Sequence, residues 1–143
     1  MASIKKSITI DAPVEKIYEF INEPTNLLEV WPSMVEATDI ERLPNGGTKF
    51  NWKYKMAGMT FNGSSEDIEV IAGERIVSKT KGGIDSTITW IFEGEETKTN
   101  LTIETEYTVP VPLLGKLAEK FIVKTNDRET ETILKNMKDR LES

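Results

Sequence analysis

The stretch Ile8-Thr9-Ile10-Asp11-Ala12-Pro13-Val14-Glu15-Lys16-Ile17-Tyr18 changes from strand to helix at its proline. Upstream, Ile4, Ile8 and Ile10 share one face of an alternating run from Ser3 to Ile10, the period of a half-buried strand. Pro13 suits the first turn of a helix, where a missing N–H removes no hydrogen bond. Val14, Ile17, Tyr18 and Ile21 then recur at i, i+3, i+4 and i+7, which makes one apolar helical face. Pro24 ends that helix, and a second short helical turn is expected over Thr25 to Glu29. Leu27, Leu28 and Trp31 form an apolar plug before Pro32.

Strand patterns follow in succession. Met34 to Leu43 is one, closed by the turn residues Asn45-Gly46-Gly47. From Thr48 to Met56 the alternation puts Phe50, Trp52, Tyr54 and Met56 on one face and Asn51, Lys53 and Lys55 on the other. After Ala57-Gly58, the strand Met59 to Ile71 changes phase, with Met59 and Phe61 odd and Ile68 and Val70 even. One extra residue is what a β-bulge inserts, and Gly63-Ser64-Ser65 is the expected place. Arg75 to Lys81 is a strand ending at Gly82-Gly83. Ser86, Ile88, Trp90 and Phe92 share a face on the next strand, as do Leu101, Ile103, Thr105 and Tyr107 on the last. Short connections between alternating runs mean antiparallel pairing.

The chain closes on a long helix with two apolar stripes. Leu114, Leu117, Ala118 and Phe121 make the first; Ile122, Asn126, Thr130, Ile133, Leu134, Met137 and Leu141 make the second. At about 100° per residue, these lie on different sides of one straight helix. A kink, or a short separate turn, is therefore expected near Lys120 and Phe121. Asn126 and Thr130 need polar partners on a face turned inward. Either a hollow holding water or a ligand supplies them, or strand side chains do. One helix lying across a long sheet leaves such a hollow, and this order of elements points to a binding cavity.

Composition narrows the chemistry. The 143 residues suit a single domain, 1–143, with 38% hydrophobic and 29% charged residues. No apolar run approaches the roughly 20 residues that span a bilayer, and the first residues have no signal-peptide core. A cytoplasmic protein without stable membrane insertion is expected. There is no cysteine and no histidine. That excludes a thiolate nucleophile, Cys-based metal sites and imidazole proton shuttling. No phosphate loop or metal cluster is visible, and no cofactor is expected. The net charge of −6 argues against nucleic acid as a partner. Lys116, Lys120 and Lys124 read as a solvated helix face.

Several segments together resemble the helix-grip superfamily that contains the major birch-pollen allergen, START lipid-transfer domains and bacterial polyketide cyclases. They are Ile8–Tyr18, Trp31-Pro32, Ala72-Gly73-Glu74-Arg75-Ile76-Val77, Trp90-Ile91-Phe92-Glu93, Thr99-Asn100-Leu101-Thr102, Pro112-Leu113-Leu114-Gly115 and Leu134 to Glu142. The chain is most similar to the small SRPBCC proteins, also called polyketide cyclase/dehydrase and lipid transport proteins. The resemblance covers essentially the whole chain. It implies an α+β helix-grip fold: a seven-stranded curved antiparallel sheet around a long C-terminal helix, two short helices after the first strand, and a central cavity. It implies no single activity, because a fold hosts many functions.

If the fold is right, the inward strand face carries Trp52, Tyr54, Phe61, Ile88, Trp90, Phe92, Thr105 and Tyr107, and the facing helix carries Asn126, Thr130, Ile133 and Met137. Aromatic walls with a few polar groups are how small-molecule pockets are built. The same residues would also serve as plain core. Met34, Met56, Met59 and Met137 are candidates for the cavity or its mouth, with Met56 and Met59 as a gate at a hairpin tip. For an enzyme, Glu66 shares phase with Ile68 and Val70 and would be the inward acid, although an exposed Glu66 beside Asp67 and Glu69 is the simpler view. Arg128 reads as a surface residue.

Three readings result. The first is a carrier of a small hydrophobic molecule (a lipid, quinone or polyketide-like compound). The second is a cyclase or dehydratase using Tyr54, Tyr107 or a buried carboxylate. The third is a protein-interaction module using the outer sheet face or the Met56 to Met59 tip, its partner unknown. With neither His nor Cys, the first is preferred, and no catalytic residue is assigned.

Overall fold

The computed structural model describes residues 2–56, 58–82, 85–94, 96–108 and 116–142. Strand β1 (Ala2–Ile10) is followed by helices α1 (Val14–Ile21) and α2 (Pro24–Val30). Six strands come next: β2 (Met34–Arg42), β3 (Thr48–Met56), β4 (Met59–Ile71), β5 (Arg75–Lys81), β6 (Asp85–Gly94) and β7 (Thr99–Thr108). Helix α3 (Lys116–Leu141) closes the chain. The strands form one curved sheet in the order β1-β7-β6-β5-β4-β3-β2. Every pairing is antiparallel.

Because β1 and β2 are the two edges, α1 and α2 must carry the chain across one end of the sheet. Pro24 sits in the first turn of α2, the place where its missing N–H is harmless. Buried Leu27 and Val30, with half-buried Leu28 and Trp31, plug that end against the core. The β2–β3 turn is fixed where Asn45-Gly46-Gly47 indicates, by the Leu43 N–H donating to the Gly47 carbonyl at 2.9 Å. Gly46 takes φ +89°, which a side chain would resist.

The inner face of the sheet buries Phe50, Trp52, Ile76, Ile88, Trp90, Phe92, Leu101 and Ile103. Helix α3 answers with Ile122, Thr130, Ile133, Leu134, Met137 and Leu141, all buried. Polar ties hold it in place: Lys6 Nζ reaches Glu131 at 2.7 Å and Asp127 at 3.3 Å. Asn136 Nδ2 donates to the Val30 carbonyl at 3.1 Å. Among the described residues no helix is long and apolar enough to cross a membrane.

Two expectations are corrected. The separate turn near Lys120 and Phe121 is absent, because α3 is continuous from Lys116 to Leu141. No Gly or Pro interrupts it, and without one a helix has little reason to break. A continuous helix turns one stripe inward. The second stripe wins, and Leu117 and Phe121 of the first stay 86% and 56% exposed. Leu114 lies outside the described residues.

The bulge of β4 is also displaced. Against β3 the register runs without a break from Met59 to Glu66, and the shift against β5 falls between Asp67 and Glu69. Ile68 is the extra residue and is exposed, whereas Val70 turns inward. Gly63 has a different purpose. A Cβ there would lie 2.6 Å from the Trp52 ring and 2.1 Å from the Lys81 carbonyl, so the bare backbone is what lets the indole lie across β4.

Glu66 is exposed, the simpler of its two readings, and the inward acid of β4 is Asp67. Odd residues of β4 face inward until the bulge. Asp67 is only 7% exposed, and Glu66 stands outside at 3.8 Å from Lys49.

Candidate functional site

Between α3 and the sheet lies a cavity of about 60 Å³. Its strand residues sit where β3 and β5 finish, β4 and β6 begin and β7 ends: Tyr54, Phe61, Thr80, Ser86, Thr105 and Tyr107. Trp52, Ile88, Ile103 and Ile4 supply the rest of that wall, and Trp31 enters from the end of α2. From α3 come Asn126, Glu129, Thr130 and Ile133. A second hollow of about 30 Å³ lies beside the first and shares Trp31, Trp52, Tyr54, Thr80 and Ile88 with it.

Of the residues named from sequence, Trp52, Tyr54, Phe61, Ile88, Thr105, Tyr107, Asn126, Thr130 and Ile133 meet in the larger cavity. Trp90 lines the smaller hollow instead. Phe92 and Met137 line neither. Phe92 packs edge-on to Tyr18 of α1 with ring centres 5.7 Å apart, and Met137 is fully buried in the core. Met34 lines the smaller hollow and Met59 is half-buried. The Met56 side chain and Ala57 lie outside the described residues, and with them the gate expected there. Arg128 is exposed.

Aromatic rings form the wall between the two hollows. Trp52 and Tyr54 lie 4.5 Å apart between centres. Trp31 tilts over Tyr54 at 6.1 Å and meets Trp90 edge-on at 6.4 Å. One buried polar atom on this lining, Trp52 Nε1, lacks a hydrogen-bond partner, whereas the Tyr107 hydroxyl has the Asn126 side chain within reach. Tyr107 is 2% exposed. Burial raises its pKa, while the nearby Asn126 side chain works the other way. Thr130 solves its own problem by donating to the Asn126 carbonyl at 2.8 Å. This is a local helix bond, neither of the two partners anticipated.

The group that sequence reading misses is Glu129. It stands half-buried on α3, and the Ser33 hydroxyl donates to its Oε2. Burial pushes its carboxyl above the usual range, opposed in part by Ser33 and the Trp31 side chain. The hydroxyl of Tyr54 is driven far above its ordinary pKa, by burial first and then by the negative charge of Glu129. Asn126, Glu129, Thr130 and Ile133 follow i, i+3, i+4, i+7 spacing, and that spacing could have placed Glu129 on the inner face.

Asp67 also borders the smaller hollow, but its hydrogen bonds are internal. Its Oδ2 accepts from the Thr48 N–H at 2.8 Å and its Oδ1 from Ser78 Oγ at 2.5 Å. It is a structural pin. Among the described residues no cluster of acids could hold a metal ion.

Residues 1–142 match the family described as polyketide cyclase/dehydrase and lipid transport. No curated protein matches the sequence. Among solved structures, the Zhui aromatase/cyclase of Streptomyces sp. R1128 superposes with a TM-score of 0.83 at 13% identity, over 99% of this chain and 93% of its own. A START superfamily protein of Mycobacterium smegmatis gives 0.78 at 14% identity, over 98% and 97%. The protein TTHA0849 of Thermus thermophilus gives 0.76 at 22% identity, again over 98% and 97%. At these identities the likeness speaks for the fold, seen here in the sheet closed over one long helix. The match along the sequence itself carries more: the chain belongs to the polyketide cyclase/dehydrase and lipid transport family.

Proposed function

We propose that this protein binds and carries a small hydrophobic molecule in the cavity between the sheet and α3. The observation behind this reading is an aromatic-walled hollow on which a buried polar atom, Trp52 Nε1, finds no protein partner. Unpaired buried polar groups cost free energy, and they are met where water or a ligand completes them. Family membership supports the same reading.

The unliganded space is small. About 60 Å³ holds a few waters, whereas ligand pockets run to about 300–1,000 Å³. Loading therefore requires side chains to move. Trp31, Tyr54 and Phe61 are half-buried rather than locked. Trp31 and Tyr54 belong to both hollows, so their rotation would merge the two. Burying apolar ligand surface, at about 25 cal/mol per Å², would drive that opening.

Native mass spectrometry of gently purified protein tests the reading. The expected result is a defined added mass, released on denaturation, that is missing from Ile133→Trp, whose indole fills the cavity. The same added mass on both proteins would put the ligand elsewhere and overturn the proposal.

A second reading, an enzyme of the cyclase or dehydratase kind, is favoured by one observation: a half-buried carboxylate, Glu129, lining the same cavity as Tyr54. A carboxylate held above its usual pKa suits proton transfer at carbon next to a carbonyl. Deuterium exchange at the α-carbon of 2-tetralone, faster with wild type than with Glu129→Gln, would support it. Equal rates would remove it.

A further inference from the structure

Among the described residues the cavity lining carries one carboxyl group and no basic side chain. It includes Glu129 but no Lys or Arg, and none of the residues outside the described set is a Lys or Arg. Lys79 and Lys81 line an adjoining, more open hollow that shares Thr80, Ser86 and Tyr107 with the cavity, and there they stand with the acids Asp85 and Glu106. The Ser33 hydroxyl and backbone N–H and the Trp31 side chain take up acceptor sites on Glu129. An ionised carboxylate offers about four and donates nothing. What remains toward the cavity is acceptor capacity and negative charge.

We propose that Glu129 is the charge filter of the ligand site: the cavity takes neutral hydrophobic molecules that present a hydroxyl or amine donor to this carboxylate, and it rejects anions such as free fatty acids. This rests on the cavity reading above. An anion in the same space would face Glu129 at short range in a medium of low dielectric, with no cation in the cavity lining to offset it. A hydroxyl or amine would instead gain a charge-assisted hydrogen bond. The Trp52 N–H leaves room for an acceptor, such as a carbonyl, elsewhere on the same ligand.

Two fluorescent probes that share one skeleton make the test. N-phenyl-1-naphthylamine is neutral with an N–H donor, and 1-anilinonaphthalene-8-sulfonate carries one added negative charge. Only fluorescence abolished by Ile133→Trp counts as cavity binding. Wild type is expected to bind the neutral probe at least about tenfold more tightly than the sulfonate. Glu129→Gln should bring the two affinities within about threefold. Ser33→Ala removes a neighbour and keeps the charge, so it should preserve the discrimination. Equal affinities in wild type, or a ratio that Glu129→Gln leaves unchanged, would overturn the filter. Failure of the neutral probe to bind in an Ile133-sensitive way would instead sink the cavity reading itself.

Discussion

The Ser33 hydroxyl donates a hydrogen bond to Glu129 Oε2, joining the start of β2 to the middle of α3. The bond ties the long helix to the segment that follows the α2 plug, and it fixes a carboxylate beside Tyr54 at the cavity wall. Glu129 is raised by burial, and no positive charge draws it down. Ionising it therefore works against folding, as often happens where a site is kept for function.

That cost has a definite sign with pH. A carboxyl whose folded pKa lies above its unfolded value binds more protons when folded, so stability falls as pH rises from about 4.5 through the raised value. Below 4.5 both states are protonated and the effect vanishes. Glu129→Gln should melt higher than wild type at pH 7, by about 2–4 °C, and the difference should close by about pH 4. Thermal melts across this range check it. A variant less stable at pH 7, by the same margin as at pH 4, would contradict it.

Adjacent acids on β4 should behave oppositely. Asp67→Ala strands the Thr48 N–H and the Ser78 hydroxyl inside the protein, at a cost of about 2–4 kcal/mol. Glu66→Ala loses only an exposed pair with Lys49, worth less than about 0.5 kcal/mol. Urea denaturation of the two variants decides which carboxylate holds the strand.

Gly63→Ala should be poorly tolerated. The new methyl meets the Lys81 carbonyl and the Trp52 ring, and relieving such a clash costs about 1–3 kcal/mol. Because the indole must shift, tryptophan emission should change along with the unfolding midpoint.

Neighbouring positions on α3 report its register. Phe121→Ala alters an exposed side chain and should change stability by less than about 0.5 kcal/mol. Ile122→Ala opens a cavity under a fully buried residue and should cost about 2–4 kcal/mol. Comparable losses at both would mean that the helix turns a different face inward.

Much of this architecture is legible in the sequence because strands repeat every two residues. Phe50, Trp52 and Tyr54 alternate with Asn51 and Lys53, as Ile88, Trp90 and Phe92 do with Thr89 and Ile91, and each set shares one side of the sheet. The bulge is harder to place. Gly63 looks like the irregular point, yet its missing side chain answers to Trp52 across the pair, a contact that strand periodicity does not encode. Glu129 is easily overlooked because a charged residue reads as surface, although its spacing to Asn126 and Ile133 puts it inside. The two stripes of α3 suggest a break, but a helix without Gly or Pro stays whole and leaves Leu117 and Phe121 outside. Phe92 shares a strand face with the cavity wall, and only the position of Tyr18 shows that it belongs to the core.

Methyl NMR during titration with N-phenyl-1-naphthylamine tests the carrier account most directly, because isoleucine methyls stand both inside and outside the cavity. The account predicts saturable shifts at Ile4, Ile88, Ile103 and Ile133, which line it, with exposed Ile68 and Ile71 unmoved. Shifts confined to Ile68, Ile71 and the exposed start of α3, with the cavity methyls silent, would contradict it.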